Sequence, residues 1–187
     1  MQVHRQTDQL PVFRNAVVTI GTFDGVHSGH RRIIEQLLRA SKDCGGESVI
    51  ITFVPPPRKI VPSAAPVALL TTLNEKIRLL EESGVDHLVV VPFTTEFSQL
   101  SAAEYIESFL IKKFCPHTLI IGYDHRFGKG REGDFRLMEK YAAKHGFCLV
   151  EIPEQDLNEL AISSSRIRKA LLEGKISEAN QLLGHAY

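Results

Sequence analysis

Short apolar runs alternate with longer amphipathic segments along most of the chain. The runs are rich in Val, Ile and Leu, and their length of four to seven residues is typical of buried strands. Because nearly every position in them is apolar, we expect helices to cover both faces of the sheet. The predicted strands are residues 16–20, 48–54, 88–91, 118–121 and 147–152.

The segments between the strands carry apolar residues at helical spacing. Thr72 and Ser101 are each followed three residues later by glutamate, the pattern of a capping box. Strands that alternate with helices predict an α/β fold with a five-stranded parallel sheet and helices on both faces. The stretch from Pro55 to about residue 70 is predicted to be loop-like. The predicted helices are residues 29–43, 72–84, 101–110, 134–145, 165–173 and 176–183.

Composition narrows the class of protein. The 187 residues suit a single domain, and 22 basic residues balance 22 acidic ones, which argues against a broad surface for nucleic acid. No apolar run reaches the roughly 20 residues of a membrane span, and residues 1–10 lack the apolar core of a signal peptide. Cys44, Cys115 and Cys148 form no CxxC pair. We therefore expect a soluble, cytoplasmic protein that binds neither nucleic acid nor membrane.

Four polar or glycine-rich segments follow predicted strands, at residues 21–30, 53–58, 122–134 and 163–168. Ligands of open parallel sheets bind beyond the carboxyl ends of the strands. The topology therefore predicts that the four segments meet around one site.

Two histidines stand in the first of these segments, Gly-Thr-Phe-Asp-Gly-Val-His-Ser-Gly-His at residues 21–30. His27 and His30 are three residues apart at a predicted helix start, so both imidazoles lie on one face with about 5–6 Å between their Cβ atoms. Because a helix N-terminus already favours anions, the imidazoles add donors for a phosphate. Ordinary helix-start histidines and a metal pair are the alternatives, although no third zinc ligand is evident.

Three glycines shape the same segment. Gly21 permits close backbone approach at the end of the strand, and Gly25 permits a turn with positive φ. Gly29 is expected to leave room for a nucleotide against the helix.

The segment Ser-Ser-Ser-Arg-Ile-Arg at residues 163–168 begins another predicted helix. Its hydroxyls and backbone N–H groups, together with Arg168, would contact a polyphosphate from the side opposite the histidines. A plain helix cap with solvated arginines is the alternative.

The remaining two segments are less specific. Phe53 lies at the base of a Pro-Pro-Pro-Arg loop that suits one wall of a pocket, and in the other segment Asp124 and Phe127 are candidates to accept a hydrogen bond from a ligand and to stack on its ring. A proline-rich surface connection and a structural loop are the respective alternatives.

These segments carry a family resemblance. Residues 21–30 resemble the GxFDxxHxGH signature of the nucleotidylyltransferase superfamily, in which the paired histidines bind ATP phosphates. Residues 163–168 resemble the ISSTxIR motif of bacterial FAD synthetases, with Ser165 in place of Thr. The other two segments resemble the flavin-side motifs FxPHP and GxDFxFGxxxxGD. Pro56 stands in place of His, His125 in place of Phe, and Thr22 where many members have Asn.

The resemblance implies the FMN adenylyltransferase domain of bifunctional riboflavin kinase/FAD synthetases, with a Rossmann-like nucleotidylyltransferase fold over residues 1–187. The phosphate of FMN would attack the α-phosphorus of ATP, giving FAD and pyrophosphate without a covalent enzyme intermediate. Mg²⁺ would accompany ATP, with no predicted protein ligand. The kinase domain is absent from these residues, so the chain is expected to be either a stand-alone enzyme or part of a protein with a covalently linked kinase.

The resemblance also implies the site residues. The catalytic residues would be His27, His30, Ser164 and Arg168. The ATP-binding residues would be Gly21, Thr22, Phe23, Asp24, Gly25, Gly29, Ser163 and Ser165. The flavin-binding residues would be Phe53, Pro55, Pro57, Arg58, Asp124 and Phe127.

Three other functions stay open. The same chemistry would act on another acceptor, such as phosphopantetheine, nicotinate mononucleotide, or glycerol phosphate with CTP. A non-catalytic flavin or nucleotide binder would bind without turnover. A structural flavodoxin-like domain would leave both histidines without a purpose.

Overall fold

The computed structural model of the protein describes residues 1–60, 68–153 and 162–187. In these residues six parallel strands form one sheet in the order β1-β4-β3-β2-β5-β6. The strands are β1 (Gln2–His4), β2 (Val17–Ile20), β3 (Ser48–Val54), β4 (His87–Pro92), β5 (Thr118–Gly122) and β6 (Cys148–Ile152).

The parallel α/β architecture is confirmed, but the expected number of five strands was wrong by one. The additional strand is β1, which pairs only with β4 at the edge of the sheet. Its three residues, Gln-Val-His, are too few and too polar to show the apolar run by which the other strands were recognised.

The six predicted helices are present, but the one predicted at residues 101–110 continues to Phe114, and the short helix Thr95–Ser98 was not predicted. Both capping boxes are present, at Thr72 with Glu75 and at Ser101 with Glu104. The loop-like stretch predicted up to about residue 70 includes residues 61–67, which lie outside the described residues. The helices are α1 (Ser28–Asp43), α2 (Leu73–Glu82), α3 (Thr95–Ser98), α4 (Ala102–Glu104) with the π-helix Tyr105–Ile111 and α5 (Lys112–Phe114) continuing it, α6 (Phe135–His145), α7 (Ser164–Leu172) and α8 (Ile176–Leu183).

Helices pack on both faces of the sheet. Along β3, Val49 and Ile51 point to a cluster formed with the π-helix and α6, whereas Ile50 points to a cluster formed with α1 and α2. A third, smaller cluster holds α7 and α8 against Leu70. None of the helices in the described ranges is long and apolar enough to cross a bilayer.

The order of the strands determines where a ligand has access. The chain moves from β2 outward through β3 to β4, and then returns to place β5 and β6 on the other side of β2. The strand order therefore reverses between β2 and β5, and the loops that leave their carboxyl ends diverge and open a crevice there. The segments that follow these two strands, residues 21–30 and 122–134, border that crevice.

Candidate active site

The chain turns sharply between β2 and α1. Phe23, Gly25 and Val26 have φ values of 46°, 82° and 40°, in the left-handed region that side-chain-bearing residues rarely adopt. The side chains of Phe23 and Val26 are buried in the core, and this packing holds the strained backbone. The φ of 82° at Gly25 strains any other residue, and a Cβ there would also lie 2.9 Å from Cδ1 of Leu70. The turn places His27 at the N-cap position of α1.

The two imidazoles are stacked on each other. The ring centroids of His27 and His30 lie 3.7 Å apart and the ring planes differ by 16°. Nδ1 of His27 accepts a hydrogen bond of 3.3 Å from the backbone N–H of His30, so a neutral His27 carries its proton on Nε2. Nδ1 of His30 is buried and has no hydrogen-bond partner among the described residues. A buried lone pair costs less than a buried orphan N–H, so we also assign the His30 proton to Nε2.

Both rings are uncharged at neutral pH. Burial lowers the pKa of His27 to about 4, although the neighbouring Asp24 carboxylate opposes the shift. Burial also holds the pKa of His30 well below its ordinary value, with further contributions from the charges of His27 and Lys76. Two stacked imidazolium ions would repel each other at this distance. The pair therefore presents two neutral N–H donors.

Asp24 connects the loop to the rest of the site. Its Oδ1 accepts hydrogen bonds from the backbone N–H groups of Leu70 at 2.9 Å and Thr71 at 3.3 Å. Its Oδ2 accepts a hydrogen bond of 2.5 Å from Nη2 of Arg168, and both side chains are largely buried. Asp24 was predicted either to shape the loop or to lie near ATP. The three protein donors to its carboxylate oxygens are the contacts expected of a residue that shapes the loop, and a contact with ATP stays a prediction.

The start of α7 docks on the same loop, although 140 residues separate the two in sequence. Oγ of Ser164 donates to the carbonyl oxygen of Asp24 at 3.2 Å. Nε of Arg168 donates to the carbonyl oxygen of Ala68 at 2.7 Å, which fixes the guanidinium beside the loop. The charge of Arg168 is close enough to affect the pKa of His27. The histidine pair and the serine–arginine segment therefore meet, as the topology predicted.

The neighbouring serines differ in their roles. Oγ of Ser163 caps α7 by accepting from the backbone N–H of Arg166 at 3.2 Å. Ser165 is exposed. Among the described residues, Ser164 is the serine of this segment whose hydroxyl donates to the loop after β2, so the three hydroxyls are not equivalent.

The structure also locates the remaining predicted ATP-binding residues. A Cβ on Gly29 would lie 3.2 Å from Nδ1 of His27, so this glycine first of all makes room for the histidine ring. A Cβ on Gly21 would lie 3.0 Å from the ring of Phe23. Thr22 exposes its side chain, while its carbonyl oxygen points inward and accepts from Nζ of Lys76.

The two aromatic residues predicted to contact flavin belong to the core. Phe127 is 5% exposed, and its ring stacks on Tyr105 with centroids 5.1 Å apart. Phe53 is 7% exposed and packs on Phe93 and Phe97, with centroids 5.4 and 5.6 Å away. Tyr105 covers one face of the Phe127 ring, so stacking of a flavin on that face is blocked, and a contact of flavin with the rest of the ring stays a prediction. Phe53 anchors its loop at the end of β3, and Phe127 anchors the other loop from within it.

The other predicted flavin-side residues lie on the surface of those loops. Pro55, which follows Val54 in a cis peptide bond, and Pro57 are partly exposed. Arg58 and Asp124 are exposed. These side chains are accessible at the carboxyl ends of β3 and β5, on either side of the histidine loop.

His125 stands where the related motif has Phe, and it buries a polar ring nitrogen that forms no hydrogen bond with the described residues. Its Nε2 is buried without a partner among the described residues, and its ring lies 5.9 Å from that of Phe127. Burial lowers its pKa to about 4, with the nearby charges of Asp124 and Arg131 acting in opposite directions. A ring without polar atoms would fit this position at lower cost.

We expect His125→Phe to stabilise the protein by about 1 kcal/mol at pH 7, because it removes a buried polar atom without a partner. Because the pKa of His125 is lowered, the folded protein binds fewer protons at this residue than the unfolded protein does. The contribution of the neutral ring to the free energy of unfolding is therefore fully present above pH 6.5 and is lost as the pH falls towards 4. The free energy of unfolding of the variant should therefore decrease less between pH 7 and pH 5 than that of the parent protein. Urea unfolding at pH 7 and pH 5 measures both effects. An equal or steeper loss of stability in the variant between these pH values would contradict the assignment.

Sequence reasoning missed two residues of the site. Lys76 is 6% exposed and donates to the carbonyl oxygen of Thr22. Its position on the apolar face of α2, three residues after Leu73, was the available signal. Nε2 of His185 lies 2.9 Å from the carbonyl oxygen of Gly25, a contact that no sequence signal indicated.

Residues 10–166 match the FAD synthetase family. The chain belongs to this family. Curated relatives described as bifunctional riboflavin kinase/FMN adenylyltransferase include those of Escherichia coli K12 (37% identical over 171 residues), Listeria monocytogenes (36% over 174) and Pseudomonas fluorescens (33% over 189). These matches cover 91%, 92% and 100% of the chain, but only 55%, 55% and 60% of the respective relatives. The chain thus spans little more than half the length of these family members.

Two solved structures share the fold. A crystal structure described as a macrolide-efflux protein from Streptococcus pneumoniae superposes with a TM-score of 0.81 at 25% identity, covering 98% of this chain and 60% of that one. Pantothenate synthetase from Thermus thermophilus gives a TM-score of 0.50 at 17% identity, covering 98% and 81% respectively. The second likeness concerns the fold alone.

Proposed function

We propose that this chain transfers the adenylyl group of ATP to FMN, producing FAD and pyrophosphate. The observation that carries the proposal is the meeting of the stacked pair His27 and His30 with Ser164 and Arg168 at the loop after β2. Membership of the FAD synthetase family supports it, as do relatives whose names include FMN adenylyltransferase.

The reaction needs no nucleophile from the protein. A phosphate oxygen of FMN forms a bond to the α-phosphorus of ATP, while the bond from that phosphorus to the bridging oxygen breaks and pyrophosphate leaves with the electron pair. Negative charge grows on the equatorial oxygens and on the leaving group. Catalysis therefore consists of positioning and of donors placed where this charge develops.

We assign the donors by their geometry. The Nε2–H groups of His27 and His30 are neutral and stacked, so both can serve the α-phosphate oxygens without the cost of burying two cations. Arg168 uses Nε and Nη2 within the protein, whereas its Nη1 has no hydrogen bond to the described residues. This nitrogen is assigned to the β- and γ-phosphates. The hydroxyl of Ser164 is assigned to them as well, and it would exchange its hydrogen bond to the Asp24 carbonyl for one to a phosphate oxygen.

Mg²⁺ belongs in this proposal to the substrate, as its complex with ATP. Among residues 1–60, 68–153 and 162–187, no group of three or more His, Cys, Asp or Glu side chains is arranged to hold a metal ion. Asp24, the acidic residue of the loop, is already committed to Arg168 and two backbone N–H groups. We therefore assign no protein ligand to the cation, which would neutralise phosphate charge and keep most of its water.

The acceptor site is assigned to the flanking loops at the carboxyl ends of β3 and β5, with Pro55, Pro57, Arg58 and Asp124 as contacts. Phe53 and Phe127 support these loops from the core. We further propose that residues 1–187 act as one adenylyltransferase unit in the cytoplasm. In the longer relatives, a riboflavin kinase is named together with this activity.

The test uses the purified chain with ATP, Mg²⁺ and FMN, following FAD by chromatography and pyrophosphate by a coupled assay. We expect both products in equal amounts. Riboflavin, phosphopantetheine, nicotinate mononucleotide, and glycerol phosphate with CTP serve as competing substrates. Preference for one of these would move the proposal to another acceptor, and ATP binding without product would establish a non-catalytic binder.

A further inference from the structure

The ammonium group of Lys76 is buried against the loop at residues 21–30, and it is not one of the donors assigned to the phosphates of ATP. Lys76, in the first half of α2, is 6% exposed, although lysine is one of the residues least often buried. Burial lowers its pKa, and the nearby carboxylate of Asp24 opposes this shift. Keeping this cation inside the protein costs stability, so its contacts indicate what role it has.

The contacts of Lys76 converge on one backbone carbonyl. Its Nζ donates to the carbonyl oxygen of Thr22 at 2.6 Å and lies 3.4 Å from Oγ1 of Thr52. Oγ1 of Thr52 also donates to the carbonyl oxygen of Thr22, at 3.2 Å. The carbonyl belongs to the peptide that leads into Phe23, where the backbone turns into the left-handed region. A cation from α2 and a hydroxyl from β3 thus hold the point at which the loop begins.

The ammonium also changes the charge of the site. Asp24 contributes one negative charge and Arg168 one positive charge, which cancel within their ion pair. Lys76 adds a positive charge that affects the pKa of His30, whose other charged or titratable neighbour is His27. With both imidazoles neutral, Lys76 leaves this cluster of five side chains with a net charge of +1. A buried positive charge behind the loop favours a polyphosphate in front of it, because the interior screens charge less than water does.

We propose that Lys76 is a positioning residue for ATP: it fixes the Thr22 carbonyl, and with it the loop that carries the two histidines, and it supplies the unpaired positive charge behind the triphosphate. This inference rests on the proposed function, since it concerns the same site. It assigns Lys76 to the ATP side of the site and gives it no contact with FMN.

Lys76→Met tests the proposal without threatening the fold. Methionine keeps the apolar length of the side chain, and Thr52 still donates to the Thr22 carbonyl, so no buried acceptor is left without a partner. Arg78→Met is the matched control, because Arg78 lies on the same helix and is exposed, with an ion pair to Glu82. We expect both variants to melt at the temperature of the parent protein or above it.

The expected defect of Lys76→Met is specific to ATP. The dissociation constant of ATP, measured by calorimetry, should rise about tenfold for the loss of one partly screened charge. The value of kcat should fall between tenfold and a hundredfold, as expected when the loop is slightly misplaced. The KM for FMN should change less than twofold, and Arg78→Met should match the parent protein in all three quantities.

Several outcomes would overturn the proposal. ATP affinity and kcat equal to those of the parent would show that Lys76 does not act on the site. A lower melting temperature with equal losses for ATP and FMN would show a purely structural role. If the parent protein itself forms no FAD, the proposed function fails, and the ATP calorimetry of Lys76→Met still decides whether the ammonium serves a polyphosphate.

A double substitution checks the route through the Thr22 carbonyl. Thr52→Val removes the second donor and keeps the shape of the side chain, and the Thr22 carbonyl retains Lys76. If both residues act through this carbonyl, kcat of the double variant should fall further than the product of the two single effects. Independent effects would contradict this route.

Discussion

Replacement of His30 by alanine is expected to lower kcat for FAD formation by about 10²–10³-fold, the usual loss for a donor to developing charge. The imidazole lies on the ring of His27 and carries no charge at neutral pH, so the variant removes a donor without changing the net charge of the site. ATP affinity should therefore change little. Steady-state kinetics together with ATP calorimetry measure the two quantities.

His27 requires a different substitution, because its Nδ1 also caps α1. His27→Asn retains a capping oxygen and removes the Nε2–H donor, and we expect it to lose as much activity as the His30 variant. His145→Ala serves as the control for both, since His145 is an exposed residue in the last turn of α6. Near-parental activity in either loop variant would remove that histidine from the mechanism.

The largest loss of stability is expected for Asp24→Ala. This substitution leaves two backbone N–H groups and the partly buried guanidinium of Arg168 without their acceptor. Breaking a buried ion pair on one side costs about 3 kcal/mol or more, because the remaining charge stays desolvated. We therefore expect the free energy of unfolding in urea to fall by about that amount, and FAD formation to be lost as the loop opens.

A surface ion pair provides the comparison. Asp8 pairs with Lys113 at 2.9 Å, but its side chain is 90% exposed, so Asp8→Ala should change stability by less than about 1 kcal/mol. Adding Arg168→Leu to Asp24→Ala should recover part of the lost stability, because the stranded charge is removed. If Asp24→Ala proved as mild as Asp8→Ala, the Asp24–Arg168 pair would not hold the loop.

Local patterns in the sequence predicted most of the fold. The apolar runs gave every strand except β1, whose three residues acquire their extended form by pairing with β4. Both capping boxes were recognisable because their residues are three positions apart and interact within one helical turn. Local interactions of this kind depend on neighbours in the chain and are therefore visible in it.

The sequence predicted those parts of the candidate site whose residues are close together in the chain. The segment at residues 21–30 and the segment at 163–168 each contain, within a few residues, the imidazole, hydroxyl and guanidinium groups from which phosphate binding was predicted. Which atoms remain available was decided by contacts between distant segments. Asp24 is committed to Arg168, 144 positions away, and Lys76 reaches the Thr22 carbonyl from 54 positions away.

Burial of the aromatic residues was likewise a tertiary outcome. In the sequence, Phe53 and Phe127 have the same appearance whether they face a ligand or the core. In the fold, Phe97 lies 5.6 Å from Phe53 and Tyr105 lies 5.1 Å from Phe127, both measured between ring centroids. These neighbours come from α3 and the π-helix, which pack against the ends of β3 and β5.

By itself the sequence determined the parallel α/β fold, the order of its main elements and which polar side chains follow the strands. These features were predictable because periodicity and capping act over a few residues. The tertiary structure alone decided that the imidazoles stack in a neutral pair, that Asp24 is held by Arg168, and that an ammonium is buried behind the loop. The reason is physical. Desolvation and charge pairing depend on which atoms lie within a few ångströms of each other, and the number of residues between two positions in the sequence does not determine that distance.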